Sequence, residues 1–205
     1  MRILALSGST KDGGRTNRLL DAFLEGVRRA GARAERVDLH ELELDSCVGC
    51  DDGCCVESIE AIRRSCADLC ERVRGADLLV VASPVFPDGI SPRVRVLLDR
   101  CDALRAWAAG GARTRQFLTG RGVLIAVSPD GGGRPRDERV YEEVRAAAAA
   151  LFENAGKVPC GLFVYPLDRD RRSENGNEEA EMTALGERFA RDPCFGVRGD
   201  LGTVH

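Results

Sequence analysis

Arg2-Ile3-Leu4-Ala5-Leu6-Ser7-Gly8-Ser9-Thr10-Lys11-Asp12-Gly13-Gly14-Arg15-Thr16-Asn17 is the stretch that decides the fold. Residues 2–6 form an apolar run too short for a helix and suited to the centre of a parallel sheet. A loop rich in hydroxyls and glycine follows. Leu19, Leu20, Phe23, Leu24 and Val27 then recur on one face of a helix. A strand, a short loop and a helix in that order aim free backbone N–H groups and the positive end of a helix dipole at one spot. Such a spot is a ready site for a phosphate.

Outward from this start, apolar runs recur at residues 35–39, 78–82, 123–127 and 161–165. Helical patterns lie between them at 17–30, 59–74, 91–106 and 139–154. Strands alternating with helices of this length predict a parallel sheet covered on both faces. Together with the opening loop they predict an α/β fold, a flavodoxin-like doubly wound five-stranded parallel sheet of order 2-1-3-4-5. A charged helical pattern at 177–191 closes the unit, after a polar stretch at 169–176 that reads as an exposed loop. The expectation is one domain over 1–193, with a cysteine-rich insertion at about 46–70 and a flexible tail at 194–205.

With 205 residues and a formal net charge of −3, the chain offers no basic face for nucleic acid. It has no apolar run long enough to span a bilayer, and its first residues lack the pattern of a secretory signal. The expected location is the cytoplasm, where clustered cysteines act as metal ligands or redox thiols more often than as disulfides.

In sheets of this kind ligands bind beyond the carboxyl ends of the strands. Three loops converge there: Ser7–Asn17, Ser83–Ser91, and Ser128 with Pro129, Asp130, Gly131, Gly132 and Gly133. Phe86 in the second is suited to lining a flat ligand, and Gly89 lets the backbone approach it. The first loop fails the dinucleotide pattern G-x-G-x-x-G, because Thr10 stands two places after Gly8. It also departs from the triphosphate-binding loop, with Ser9 for the first glycine and Arg15 for the lysine. What remains is a cradle of hydroxyls (Ser7, Ser9, Thr10 and Thr16) with backbone N–H groups, which suits a phosphate monoester.

These residues resemble the flavodoxin-like NAD(P)H-dependent FMN reductases, most closely the branch that includes the iron–sulfur flavoproteins. The carrying segments are Gly8–Thr16 with Leu19-Leu20, Cys47-Val48-Gly49-Cys50, Gly75-Ala76-Asp77, Ser83-Pro84-Val85-Phe86, and Asp99-Arg100. The resemblance implies FMN as cofactor and NAD(P)H as co-substrate, with a small-molecule electron donor and acceptor. It implies phosphate contacts from Ser7, Ser9, Thr16 and Asn17, with Pro84, Val85 and Phe86 along the isoalloxazine. Asp88, Gly89 and Ser128 to Gly132 would flank the ring or the ribityl chain. It also implies a homodimer or homotetramer. The family usually has Tyr where Phe86 stands and Lys where Arg95 stands; both departures keep the aromatic face or the charge.

Six of the nine cysteines, Cys47, Cys50, Cys54, Cys55, Cys66 and Cys70, crowd into one stretch. Closely spaced thiolates hold an iron–sulfur cluster or zinc because a short loop directs several sulfurs at one centre. The first pair fits the family's compact cluster motif, and the third cysteine is displaced by one residue. Cys47, Cys50, Cys54 and Cys66 are the candidate ligands of a [4Fe-4S] cluster, with Cys55 or Cys70 as substitutes. A cluster would point to a ferredoxin-like protein partner. Zinc, a reactive dithiol or unligated cysteines are the alternatives, as is a non-enzymatic metal or thiol module on the same scaffold. Cys101, Cys160 and Cys194 read as isolated buried residues. His40 has no nucleophile near it in sequence, which leaves a Ser–His–acid hydrolase unsupported. Trp107 suits a partner surface, a flavin cover or the core.

Overall fold

The computed structural model describes residues 1–44, 67–86, 89–108, 118–128, 138–166, 175–192 and 195. In chain order the elements are β1 (Ile3–Ser7), α1 (Arg15–Arg29), β2 (Ala34–Asp38), a 3-10 turn (Leu39–Glu41), and the described part of α2 at 67–75. There follow β3 (Leu78–Phe86), β4 (Gly89–Ile90), α3 (Pro92–Ala108), β5 (Gly120–Ser128), α4 (Glu138–Asn154), β6 (Lys157–Pro166) and α5 (Asn175–Arg191).

The five long strands are parallel and ordered β2-β1-β3-β5-β6. That is the 2-1-3-4-5 order expected when the parallel strands alone are numbered. One addition corrects the strand count. β4 is a sixth strand, pairing antiparallel with the end of β3. The stretch expected as an open loop after residue 82 is therefore a hairpin, because Val85 and Ile90 face each other and are both buried.

The pleat sends alternate residues of β1 to opposite faces. Leu4 and Leu6 join Leu79, Val81, Leu124 and Ala126 in a core under α2, α3 and α4. Ile3 and Ala5 join Val80, Ala82, Val123 and Ile125 in a second core under α1 and α5. On that second face α1 and α5 cross at backbone contact. A Cβ on Gly26 would stand 1.9 Å from the Thr183 carbonyl oxygen, and one on Gly186 would stand 2.0 Å from that of Phe23.

Three ties hold the ends of these elements. The Lys157 ammonium, fully buried, donates to the carbonyls of Arg74 (2.7 Å) and Ala76 (2.6 Å). Burial lowers its pKa to about 8. Arg121 donates to the carbonyls of Phe189, Asp192 and Phe195, and Phe195 packs edge-on against Phe189.

The third tie is a disulfide between Cys70 of α2 and Cys101 of α3, whose Cα atoms lie 5.2 Å apart. This corrects two expectations. Cys101 is not isolated, and Cys70 is no spare metal ligand while the bond exists. The reason is spatial: the two helices pack on the same face of the sheet, which brings residues 31 apart in sequence within bonding reach. Cys160 is a buried free thiol, as expected, and burial pushes its pKa up. No helix among the described residues is long and apolar enough to cross a membrane.

Candidate functional site

The loop leaving β1 is shaped by its own hydroxyls. Ser7 Oγ donates to Asn17 Oδ1 (2.6 Å) and accepts from the Ser9 N–H (3.3 Å). Asn17 Nδ2 donates to the Lys11 carbonyl (3.1 Å). Ser9 Oγ donates to that same carbonyl (3.3 Å) and accepts from the Lys11 N–H (3.2 Å). Ser7 and Asn17 thus brace the turn through bonds to one another and to main chain. Thr16, also buried, takes no part in this network, and Thr10 stands exposed at the rim.

Gly14 occupies the N-cap of α1, where it offers no side-chain cap, and the first turn of α1 carries no acid. The first N–H groups of a helix have no acceptor within it. An uncapped, acid-free helix N-terminus at a strand end leaves its N–H groups able to receive an anion. Arg15 adds a cation at the same turn, paired with Glu178 of α5. Behind that pair Tyr165 donates to Glu181 (3.3 Å). Burial raises the phenol's pKa, and the neighbouring carboxylates add to the rise.

The second wall is the β3–β4 hairpin. Phe86 is 43% exposed, one of the few large apolar side chains left open among the described residues. It lies opposite Gly89, whose φ of 100° is a turn conformation natural to glycine. Pro84 pairs with Val127 of β5 at a level beyond the end of β1, where no neighbouring strand needs its missing N–H. The Arg95 guanidinium lies 3.8 Å from where a Gly89 side chain would begin. Ser128 closes β5 as a buried residue.

The structure thus gathers Ser7, Ser9, Thr10, Thr16 and Asn17 at the first strand end. Pro84, Val85, Phe86 and Gly89 stand at the third strand in chain order, and Ser128 at the fourth long one. Asp88, Pro129, Asp130, Gly131 and Gly132 lie outside the described residues. So do Cys47, Cys50, Cys54, Cys55 and Cys66. Among the described residues no group of three or more His, Cys, Asp or Glu side chains could hold a metal.

Two features escaped the sequence reading. Ser83 and Ser91 bracket the hairpin and are both buried: the Ser91 N–H donates to Ser83 Oγ (2.8 Å), and Ser91 Oγ donates to the Gly8 carbonyl (2.8 Å). Their signal was present as two serines flanking the ring loop, without anything to mark a partner 83 residues away. His40, just past β2, places Nε2 3.6 Å from Asp12 of the first loop. No local pattern announced that proximity.

Two concavities of the described surface lie elsewhere. One of about 890 Å³ runs between α1 and α5, and another of about 950 Å³ lies beneath the N-terminal ends of β1 and β2. Both are lined by side chains engaged in ion pairs, such as Arg18 with Glu179 and Arg72 with Glu35. Among the described residues, the strand ends bring together an uncapped helix N-terminus and the exposed Phe86.

Such a sheet defines a flavodoxin-like α/β protein. Residues 1–152 match the family described as NADPH-dependent FMN reductase, and the chain belongs to that family. Among curated relatives, an iron–sulfur flavoprotein of Methanocaldococcus jannaschii is 27% identical over 141 residues, 69% of this chain and 70% of its own. An iron–sulfur flavoprotein of Archaeoglobus fulgidus is 28% identical over 165 residues, 80% of this chain and 68% of its own. Among solved structures, an NAD(P)H:quinone oxidoreductase from Methanothermobacter marburgensis superposes with a TM-score of 0.67 at 15% identity, covering 94% of this chain and 97% of that one. An FMN-dependent NADH-azoreductase from Bacillus anthracis, solved with FMN, gives a TM-score of 0.64 at 13% identity over 93% of this chain and 100% of that one.

Proposed function

We propose that the strand-end crevice holds FMN and that the protein passes reducing equivalents from NAD(P)H to a small-molecule acceptor. The observation that carries this is the uncapped, acid-free start of α1 beside the exposed Phe86 hairpin. Bound FMN would supply the hydride- and electron-transfer chemistry. The N–H groups of the first turn of α1, with the hydroxyls of Ser9, Thr10 and Thr16, bind the phosphate. Ser7 and Asn17 hold the loop that presents them. Pro84, Val85 and Phe86 line the ring, and the hairpin backbone at Gly89 bonds its polar edge. Asp88 and the stretch from Ser128 through Pro129, Asp130, Gly131 and Gly132 complete the walls. No side-chain acid or base is required. The working form is a homodimer or homotetramer.

A second reading is favoured by the curated relatives, which are named iron–sulfur flavoproteins. Cys47, Cys50, Cys54 and Cys66, with Cys55 as substitute, would ligate a [4Fe-4S] cluster. The protein would then exchange single electrons with a ferredoxin-like partner. The chain is tied to α3 ahead of the cysteine-bearing stretch and again at Cys70. Arg93 donates to the carbonyls of Leu39 and Leu42, at 3.2 Å each, and Cys101 bonds Cys70.

The visible spectrum and metal content of anaerobically purified protein separate the readings. Two flavin bands without iron mark the reductase. Broad added absorption with iron and acid-labile sulfide marks the electron carrier. A colourless protein that rebinds no FMN overturns both.

A further inference from the structure

We infer that Ser91 is a positioning residue that fixes the distance between the phosphate half and the ring half of the flavin site; this rests on the FMN reading above. Gly8 follows β1 and opens the phosphate loop. Its N–H donates to the Ala82 carbonyl (2.8 Å), and its carbonyl accepts the Ser91 hydroxyl (2.8 Å). The Ser91 N–H donates to Ser83 Oγ (2.8 Å), and Ser83 Oγ donates to the Pro84 carbonyl (2.8 Å). An unbroken set of bonds therefore runs from the phosphate loop to the backbone of the ring-lining residue. Ser83 is 0% exposed and Ser91 2%, so both bonds made by Ser91 are sheltered from water.

Helix capping is the ordinary explanation for a serine at this position. Ser91 does precede α3, and its carbonyl accepts from the N–H groups of Val94 and Arg95. Its hydroxyl, however, is turned away from its own helix and onto Gly8. The fit is close as well. A Cβ at Gly8 would stand 2.6 Å from Val94 Cγ2 and 3.0 Å from the Ser91 Cβ. Hydrogen bond and contact together hold the two loops at one separation.

A ligand that touches both loops gains from that fixed separation; a ligand that touches one does not. Loosening the clasp should weaken FMN, which has phosphate and ring, more than riboflavin, which lacks the phosphate. Loss of a purely structural serine would weaken both alike.

The test is the dissociation constant of each flavin for the full-length, flavin-stripped protein, measured by fluorescence quenching for wild type and Ser91→Ala. We expect FMN to weaken about 10-fold and riboflavin by less than about 3-fold. Equal losses, or no loss of FMN affinity, overturn the assignment. Should Ser91→Ala fail to fold by circular dichroism, Ser83→Ala breaks the next bond in the chain and must show the same unequal loss. Wild-type protein that binds neither flavin removes the FMN reading and this inference with it. Wild type that binds both, with equal losses in the variant, removes only the role of Ser91.

Discussion

Arg15 and Glu178 form an ion pair between the first turns of α1 and α5, with side chains only 7% and 19% exposed. The pair places a cation at the start of α1, beside the proposed phosphate site, with a carboxylate of α5 next to it. Breaking a sheltered pair from one side leaves the other charge poorly solvated. Glu178→Gln should lower unfolding free energy in urea by about 2 kcal/mol. It should also tighten FMN relative to riboflavin, because Arg15 loses its competing anion. A variant with weaker FMN binding and unchanged stability would count against this account of the pair.

Ser9→Glu combined with Thr16→Glu puts two carboxylates where the FMN phosphate is proposed to lie. Like charges in contact repel strongly. FMN affinity should fall at least about 100-fold, with riboflavin affected far less. Undiminished FMN binding by the folded double variant would move the phosphate away from residues 7–17.

Lys157 makes stability depend on pH in a direction opposite to that of an ordinary paired lysine. Its pKa is lowered to about 8 from an unfolded value of 10.5. Below pH 8 both states are protonated and the folded state bears the full cost of a buried charge. Between 8 and 10.5 the unfolded chain holds more protons, so this group makes unfolding harder as pH rises. The gain across that window is about 2–3 kcal/mol. Urea titrations of wild type and Lys157→Met at several pH values check it. The stability difference should move in favour of wild type from pH 8 upward, and a flat difference would show that Lys157 titrates normally.

Gly26→Ala tests the helix crossing. The added methyl meets the backbone of Thr183 at 1.9 Å, and backbone cannot swing aside as a side chain can. The helices must separate, at a cost on the order of 3 kcal/mol. Thermal unfolding measures this, and an unchanged melting temperature would mean that α1 and α5 slide freely.

Cys101→Ser removes the Cys70 bond, which spans a sequence separation of 31. Chain-entropy reasoning assigns such a loop about 3–4 kcal/mol. The variant should unfold earlier than wild type under oxidising conditions and nearly together with it in excess dithiothreitol. Equal stability in both conditions would mean that the two sulfurs remain thiols.

The parallel order and the helix faces were legible because each is written locally. Ile3 to Leu6 form one unbroken apolar run, and Leu19, Leu20, Phe23 and Val27 keep a helical spacing. The antiparallel pairing of Val85 and Phe86 with Ile90 and Gly89 was not, since Pro84, Pro87 and Gly89 read as loop residues and the burial of Val85 against Ile90 is not written locally. Nor was the pairing of Cys70 with Cys101, whose nearness is created by two helices packing on one sheet face. In the candidate site the strand, loop and helix at the start of the chain could be read from their own residues. The Ser91 bond to Gly8 and the approach of His40 to Asp12 could not, because each joins segments that meet only once the sheet has formed.

Arg93 and Cys101 sit on one helix and grip the chain on either side of the cysteine-bearing stretch. Those attachments tie the described chain on both sides of residues 45–66 to one helix, so a disturbance at either anchor is passed to α3 and, through it, to the Gly89–Ile90 strand that precedes it.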